Sequence, residues 1–301
     1  MVARGLVKPE YIYNPFQLCR RLVRLTQRPT FDQLTFPWGV PIYVTPQHHV
    51  GRAVYDLRVY DLPVTETLWR LIDPEDLAVD VGANIGYMTG VMAFRCGSKG
   101  RVAAFEPQPN MYSKLRRNSK MWRELLHASI DTYQLALSDH HGEEFITLPD
   151  DSEKNSGLAS LLPLCGGLAY SVPVERLDSL IDRDIGVMKI DVEGYESAVL
   201  TGATRLLKSM KIRDIVFEEH RAWPTPTITL LQSFGYSIFN LGVGLRGLMI
   251  TTIREKPTNR HWEPRSCLAT LNPLRALERL GRRGWQTLRN SSFKQTEVNT
   301  N

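Results

Sequence analysis

The stretch Leu77-Ala-Val-Asp80-Val-Gly82-Ala-Asn84-Ile-Gly86-Tyr87 constrains the fold of this chain more than any other part of it. An apolar run enters a turn containing two glycines and then a helix-patterned segment, which is the local signature of a β-to-α unit in a parallel sheet. Glycine at such a turn lets backbone come close to a ligand, and the helix start offers unpaired N–H groups to an anion. The dinucleotide pattern G-x-G-x-x-G is not met, because Asn84 stands where its second glycine falls, so a pyrophosphate cofactor is poorly served.

Behind this turn the chain alternates apolar runs with helical patterns, as a doubly wound sheet requires. Strands are predicted at 77–81, 101–106, 132–136, 187–191 and 214–218, and helices at 65–72, 87–95, 110–122, 196–208 and 227–234. The pieces 236–241 and 248–253 read as an antiparallel hairpin closing the sheet edge through the turn Gly242 to Gly247. The segment 145–180 breaks the alternation with Gly157, Pro163, Gly166, Gly167 and Pro173 and reads as an insertion or lid. The expected organisation is therefore a basic N-terminal extension (1–34), a substrate-side lead-in (35–72), the main domain (73–253, insertion included) and a basic, partly helical C-terminal tail (254–301).

Charge follows the same division. The formal charge is +5, yet residues 1–28 alone carry +5 and residues 254–301 carry +6, which leaves the middle at −6. An acidic core disfavours nucleic acid as a partner. The C-terminal pattern of Leu274, Leu277, Leu280 and Trp285 among Arg275, Arg279, Arg282 and Arg283 could lie on an anionic membrane. Packing on the chain's own acidic domain, or fraying in solvent, is the stronger reading, since basic patterning is common. Cys19, Cys96, Cys165 and Cys267 form no C-x-x-C pair and are read as unpaired thiols. With no apolar leader and no run of about 18 apolar residues, a cytoplasmic location is the expectation.

Carboxylates recur where the strands end. Glu106 closes the strand after the glycine turn, and an acidic group there can accept both hydroxyls of a ribose. Lys189-Ile-Asp191-Val-Glu193-Gly194-Tyr195-Glu196 ends another strand in carboxylates before a helix. Ligands of open α/β sheets bind outside the carboxyl ends of the strands, which gathers Asp80, Glu106, Asp191 and Glu193 on one rim. Glu196 suits the positive start of the following helix and is assigned a structural role.

Four segments in order, Asp80-Val-Gly-Ala-Asn-Ile-Gly86, Phe105-Glu106-Pro107, Ala136-Leu-Ser-Asp139 and Lys189-Ile-Asp191-Val-Glu193-Gly194-Tyr-Glu196, resemble the successive motifs of the FkbM family of methyltransferases, over about residues 42–253. The resemblance implies a class I methyltransferase (Rossmann-like) fold, α/β and doubly wound, with a mostly parallel seven-stranded sheet whose last strand is antiparallel. It also implies S-adenosylmethionine as methyl donor. On this likeness Gly82 and Gly86, with Asn84 in the same turn, approach the methionine part of the cofactor; Glu106 takes the ribose; Leu137 and Ser138 form the adenine rim; Asp80 fixes the turn near the cofactor amino group. The family often shows a Tyr-Glu pair before the helix leading into the core, where this chain has Tyr60-Asp61.

The expected activity is O-methylation of a hydroxyl on a sugar, glycan or secondary metabolite. An alcohol acceptor benefits from a base, and Asp191 and Glu193 rank ahead of His220 for that role. His48 and His49 precede the core and are read as solvated or substrate-side residues. No H-x-x-H or H-E-x-x-H spacing calls for a metal. The rival readings are amino-group methylation, set back by the lack of an Asn/Asp-Pro-Pro-aromatic run, a nicotinamide-dependent sugar reductase, set back by the lack of a Tyr-x-x-x-Lys pair, and a cofactor-binding module without catalysis.

Overall fold

The chain's structure, a computed structural model, describes residues 8–13, 15–17, 32–45, 48–148, 168–219, 221, 224–253 and 265–289. A small antiparallel hairpin, β1 (Gln33–Thr35) and β2 (Pro41–Tyr43), precedes helices α1 (His49–Leu57) and α2 (Leu62–Leu71). Strands β3 (Leu77–Val81), β4 (Arg101–Phe105) and β5 (Ser129–Tyr133) follow, linked by helices α3 (Tyr87–Cys96) and α4 (Pro109–Leu126). Next come β6 (Ala136–Leu137), β7 (Gly142–Leu148) and β8 (Leu168–Glu175), a separate three-stranded sheet in the order β6-β8-β7. The second half holds α5 (Leu177–Leu180), β9 (Ile185–Ile190), α6 (Glu196–Gly202), α7 (Thr204–Lys208), β10 (Ile212–Glu219) and α8 (Pro226–Ser233). It closes with β11 (Ser237–Gly244), β12 (Gly247–Thr252), β13 (Arg265–Thr270) and α9 (Pro273–Leu280).

The main sheet runs β12-β11-β13-β10-β9-β3-β4-β5, and the five strands from β10 to β5 are parallel. Strands β3 and β9 are buried along their whole length, as their continuous apolar runs require when helices cover both faces. Alternate residues serve opposite layers. Ala78, Val102 and Val187 join a core with Met88, Val91 and Trp122, whereas Val79, Val81, Ala103 and Met188 join one with Val199, Leu206 and Ile228. From β3 the chain moves outward through β4 and β5, then returns to the other side of β3 as β9. A crevice forms at such a reversal, at the carboxyl ends of β3 and β9.

The doubly wound, mostly parallel sheet expected from the sequence is thus present, with eight strands among the described residues where seven were expected. Its last strand in sequence, β13, is antiparallel to both neighbours and lies between β10 and β11. Residues 265–270 are therefore part of the sheet and not of a tail. The hairpin β11–β12 forms as expected, but with β12 at the sheet edge. The helix expected over 196–208 is broken at Ala203 into α6 and α7. Within the expected insertion, β7 and β8 pair as an antiparallel ladder, and residues 149–167 lie outside the described residues.

The basic C-terminal segment is folded onto the acidic domain. Arg275 reaches Asp73 at 2.6 Å and Asp214 at 3.0 Å, and Arg279 reaches Asp73 at 2.5 Å. Against the effect of its burial, these two guanidiniums hold Asp73 below the ordinary carboxylate range. Deeper in, Glu66 and Arg70 form a fully buried pair at 2.6 Å on α2. Glu66 accepts from the backbone N–H groups of Gln286 (2.9 Å) and Thr287 (3.0 Å), and Arg70 donates to the carbonyls of Leu280 (3.2 Å), Arg282 (2.6 Å) and Gly284 (2.5 Å). Trp285 and Leu280 are buried beside this clamp.

Removing one partner of such a pair leaves a buried charge unmatched, at a cost of about 3–5 kcal/mol. Glu66→Ala and Arg70→Met are each expected to lower unfolding stability by that amount in urea titrations. A loss below about 1 kcal/mol would mean that apolar packing alone holds the C-terminal segment.

Candidate active site

The register of the parallel strands brings charged side chains together at the crevice. Asp80 pairs with Lys189 across β3 and β9, and Lys189 pairs with Val216 across β9 and β10. Partners in register share a face, and two residues further on the same face returns. Asp191 and Glu218 therefore follow Lys189 and Val216 on one side of the sheet. The Lys189 ammonium, buried, stands 3.5 Å from Asp80 Oδ1 and 3.4 Å from Asp191 Oδ2, and it donates to the Gly82 carbonyl at 2.9 Å. Burial works against its charge, but Asp191, Asp80 and Glu218 outweigh burial and raise its pKa.

The glycine turn is held from several directions. Gly82 and Ala83 donate to the Phe105 carbonyl at 3.0 and 2.9 Å, and Thr89 donates to Asp80 Oδ2 at 2.6 Å, which ties β3 to α3. Asn118 on α4 donates to the Ile85 carbonyl at 2.8 Å and makes two hydrogen bonds with the Tyr43 backbone, joining the turn to β2. The glycines are required by the fold itself. Gly82 and Gly86 adopt φ of +75° and +92°, and a Cβ on Gly82 would stand 1.9 Å from the Asp191 carbonyl oxygen. A Cβ on Gly86 would meet Leu115 at 2.8 Å. At both positions the protein's own packing is enough to exclude a side chain.

Glu106 joins the same turn. Its Oε2 accepts from the Asn84 N–H at 2.7 Å and its Oε1 from the Gln108 N–H at 2.9 Å. Burial pushes its pKa up to about 7 despite these two bonds. Each carboxylate oxygen keeps acceptor capacity beyond its one backbone bond. Acidic acceptor and glycine turn are therefore one continuous surface at the carboxyl ends of β3 and β4.

Leu137 and Ser138 are buried. Leu137 belongs to the cluster that contains Val81, Phe105 and Ile190, and Ser138 donates through Oγ to Asp139 at 3.3 Å. Glu193 is partly exposed with φ of +51°. Glu196 accepts from the Gly194 N–H at 3.1 Å, the structural role expected of it. His220 lies outside the described residues. His48 Nδ1 is 3.2 Å from Lys114 Nζ, and the His49 ring meets Tyr60 edge-on at 5.8 Å.

Glu218 was not singled out in the sequence, and Tyr60 was noted only as half of the Tyr60-Asp61 pair. Glu218 is pushed up to about 9, first by burial and then by Asp191 and Asp61. Tyr60 is raised by burial and by Asp191, Asp61, Glu218 and Glu193, so the Tyr60-Asp61 segment forms a wall of the same crevice. Asp61 caps α2, accepting from the Val64 N–H at 3.3 Å. Asp61, Asn84 and Glu193 all have positive φ without being glycine, and backbone strain of this kind gathers at functional sites. No local sequence signal marks Glu218, because its place is set by register, two residues beyond the strand partner of Lys189. Among the described residues no three metal-ligating side chains converge, and no helix is long and apolar enough to cross a membrane.

Comparison with known proteins identifies the family. Residues 80–238 match the Methyltransferase FkbM domain. The hexuronic acid methyltransferase AglP of Haloferax volcanii is 28% identical over 186 residues, covering 58% of this chain and 71% of that protein. The 31-O-demethyl-FK506 methyltransferase FkbM of Streptomyces tacrolimicus is 30% identical over 198 residues, covering 55% of this chain and 74% of its own length. A crystal structure of methyltransferase FkbM from Methylobacillus flagellatus aligns with a TM-score of 0.42 at 19% identity, over 65% of this chain and 43% of that one. With its glycine turn, its strand-end glutamate and its Asp191-Val-Glu193-Gly194 loop all inside the matched region, this chain belongs to the FkbM family of methyltransferases.

Proposed function

We propose that this methyltransferase uses S-adenosylmethionine to methylate a hydroxyl group of a small molecule, with a sugar, glycan or secondary metabolite as acceptor. The observation that carries the reading is the hydrogen bond from Asn84 N–H to Glu106 Oε2, which makes a diol acceptor and a backbone turn parts of one surface. The names of the two relatives, one acting on a hexuronic acid and one on an oxygen of a secondary metabolite, support the acceptor class.

The residues fit the cofactor. Glu106 has unused acceptor capacity for two ribose hydroxyls, and Asp80 Oδ1 is buried without a hydrogen bond among the described residues, 3.5 Å from Lys189. Asp80 serves the cofactor amino group, the turn Gly82-Asn84-Gly86 its methionine part, and Leu137 with Ser138 its adenine rim. When bound, S-adenosylmethionine supplies an electrophilic methyl group. The chain's own work is to align the acceptor oxygen, exclude water and take the hydroxyl proton. Burial and the neighbouring carboxylates Asp191 and Asp61 raise the pKa of Glu218 and favour its protonated form, which sets it behind Asp191 as a base. Asp191, facing an ammonium at 3.4 Å and partly open to solvent, is the first candidate base, with Glu193 beside it in the loop and His220 third.

Glu106→Ala is expected to weaken adenosylhomocysteine binding by about 1–3 kcal/mol in calorimetry. In the wild type, affinity should fall as pH drops below about 7, because protonation removes an acceptor; affinity that is flat from pH 6 to 8.5 and unchanged in the variant removes Glu106 from the site. Asp191→Asn or Glu193→Gln is expected to lower turnover by about 10²–10⁴-fold while leaving adenosylhomocysteine affinity nearly unchanged, read as adenosylhomocysteine release with uronate-bearing glycans and polyol acceptors. Full activity in both variants would leave alignment as the whole of the catalysis.

Glu218 makes a separate prediction about stability. Its folded pKa of about 9 lies above the ordinary 4.5, so the folded state binds the extra proton between those values and loses stability as pH rises through that window. Glu218→Gln, which mimics the protonated form, should show a smaller fall in Tm between pH 6 and 9 than the wild type. Parallel curves would show that Glu218 ionises normally.

A further inference from the structure

A pocket of about 220 Å³ lies far from the crevice, lined by Trp69, Arg70, Asp73, Arg95, Arg279, Arg282 and Gln286. Arg95 is in the last turn of α3, the helix whose first turn follows Gly86, so the pocket is roughly 15 Å along the helix from the glycine turn. Its charges are unequally matched. Arg70 is paired with Glu66 at 2.6 Å. Asp73, the pocket's carboxylate, is already shared by Arg275 (2.6 Å), Arg279 (2.5 Å) and Arg213 (3.4 Å). Among the described residues the Arg282 guanidinium pairs only with Glu278, at 3.5 Å on the surface.

Arg95 is the least satisfied. Among the described residues its guanidinium has no carboxylate within ion-pair distance, one long hydrogen bond to the Ile72 carbonyl (3.4 Å) and a cation–π contact with the Trp69 ring at 5.2 Å. Its Nε is buried with no hydrogen-bond partner among the described residues. A buried donor left unmet costs free energy comparable to a lost hydrogen bond, more for a charged group, and planar guanidiniums bind tetrahedral oxyanions through paired N–H donors. Burial also pulls the Arg95 pKa down, which an incoming anion would reverse.

We propose that this pocket is a binding site for a phosphate group, held by the guanidiniums of Arg95, Arg279 and Arg282 with the Gln286 amide as a further donor. The volume suits a free phosphate ion or the phosphate of a small phosphomonoester. The site is independent of the methyl-transfer crevice and uses none of its residues.

The test is calorimetry and thermal unfolding of the full chain with inorganic phosphate, and in a second arm with glucose 6-phosphate, each against sodium chloride at matched ionic strength. Saturable binding with a Tm that rises with phosphate concentration is expected in at least one arm, because a ligand that binds only the folded state stabilises it. Arg95→Met and Arg282→Ala should each weaken that binding by about tenfold or more. Arg282 is exposed, so its variant folds even if loss of Arg95 disturbs packing, and adenosylhomocysteine binding reports that the crevice is intact in both. No saturable heat in either arm, or equal binding by wild type and Arg282→Ala, overturns the proposal.

Discussion

One buried ammonium organises the candidate active site. Lys189 Nζ is in contact with the Gly82 carbonyl, with Asp80 and with Asp191, so the ends of β3 and β9 are joined through a single charge. The two strands are adjacent in the sheet yet more than a hundred residues apart in sequence, and the crevice exists only because they meet. Gly82 extends the same constraint to the backbone: the close approach of Asp191 leaves no room for a Cβ. Everything that the glycine turn presents is positioned from β9 as much as from β3.

Around that cation the rim collects more carboxylates than one lysine can balance, namely Asp61, Asp80, Asp191, Glu193 and Glu218. Like charges at this density cannot all ionise in a desolvated crevice, and at Glu218 the protonated form is favoured. Chemically similar groups thus differ in their surroundings: Asp191, partly exposed, stands beside the ammonium, and Glu218 is buried with its pKa raised. Remote from the rim, arginines of the C-terminal segment meet Asp73 ahead of β3 and Asp214 on β10, which joins a basic end to an acidic middle in one chain.

The strands flanking the crevice are legible in the sequence because they are buried on both faces and need continuous apolar runs, as in 77–81 and 187–191. Their acidic ends are legible for the same reason, since a charge directly after such a run marks the strand's exit. Strand β13 is not legible. Arg265-Ser-Cys-Leu-Ala-Thr270 is short and mixed, and its burial comes from strands β10 and β11 on either side, which no local pattern encodes. The roles of Lys189 and Glu218 are hidden in the same way, because their proximity depends on inter-strand register. Glycine at 82 and 86 was legible as a requirement, but its cause, contact with Asp191 and Leu115, is tertiary.

The place of β13 has a consequence for how the molecule is made. As the ribosome delivers the chain, β10 and β11 emerge well before residues 265–270, so each must wait with a row of unpaired backbone groups along the slot that β13 will later occupy. Until that slot closes, the nascent protein exposes two adhesive strand edges, and its vulnerability to self-association is concentrated in the interval of synthesis between β11 and β13.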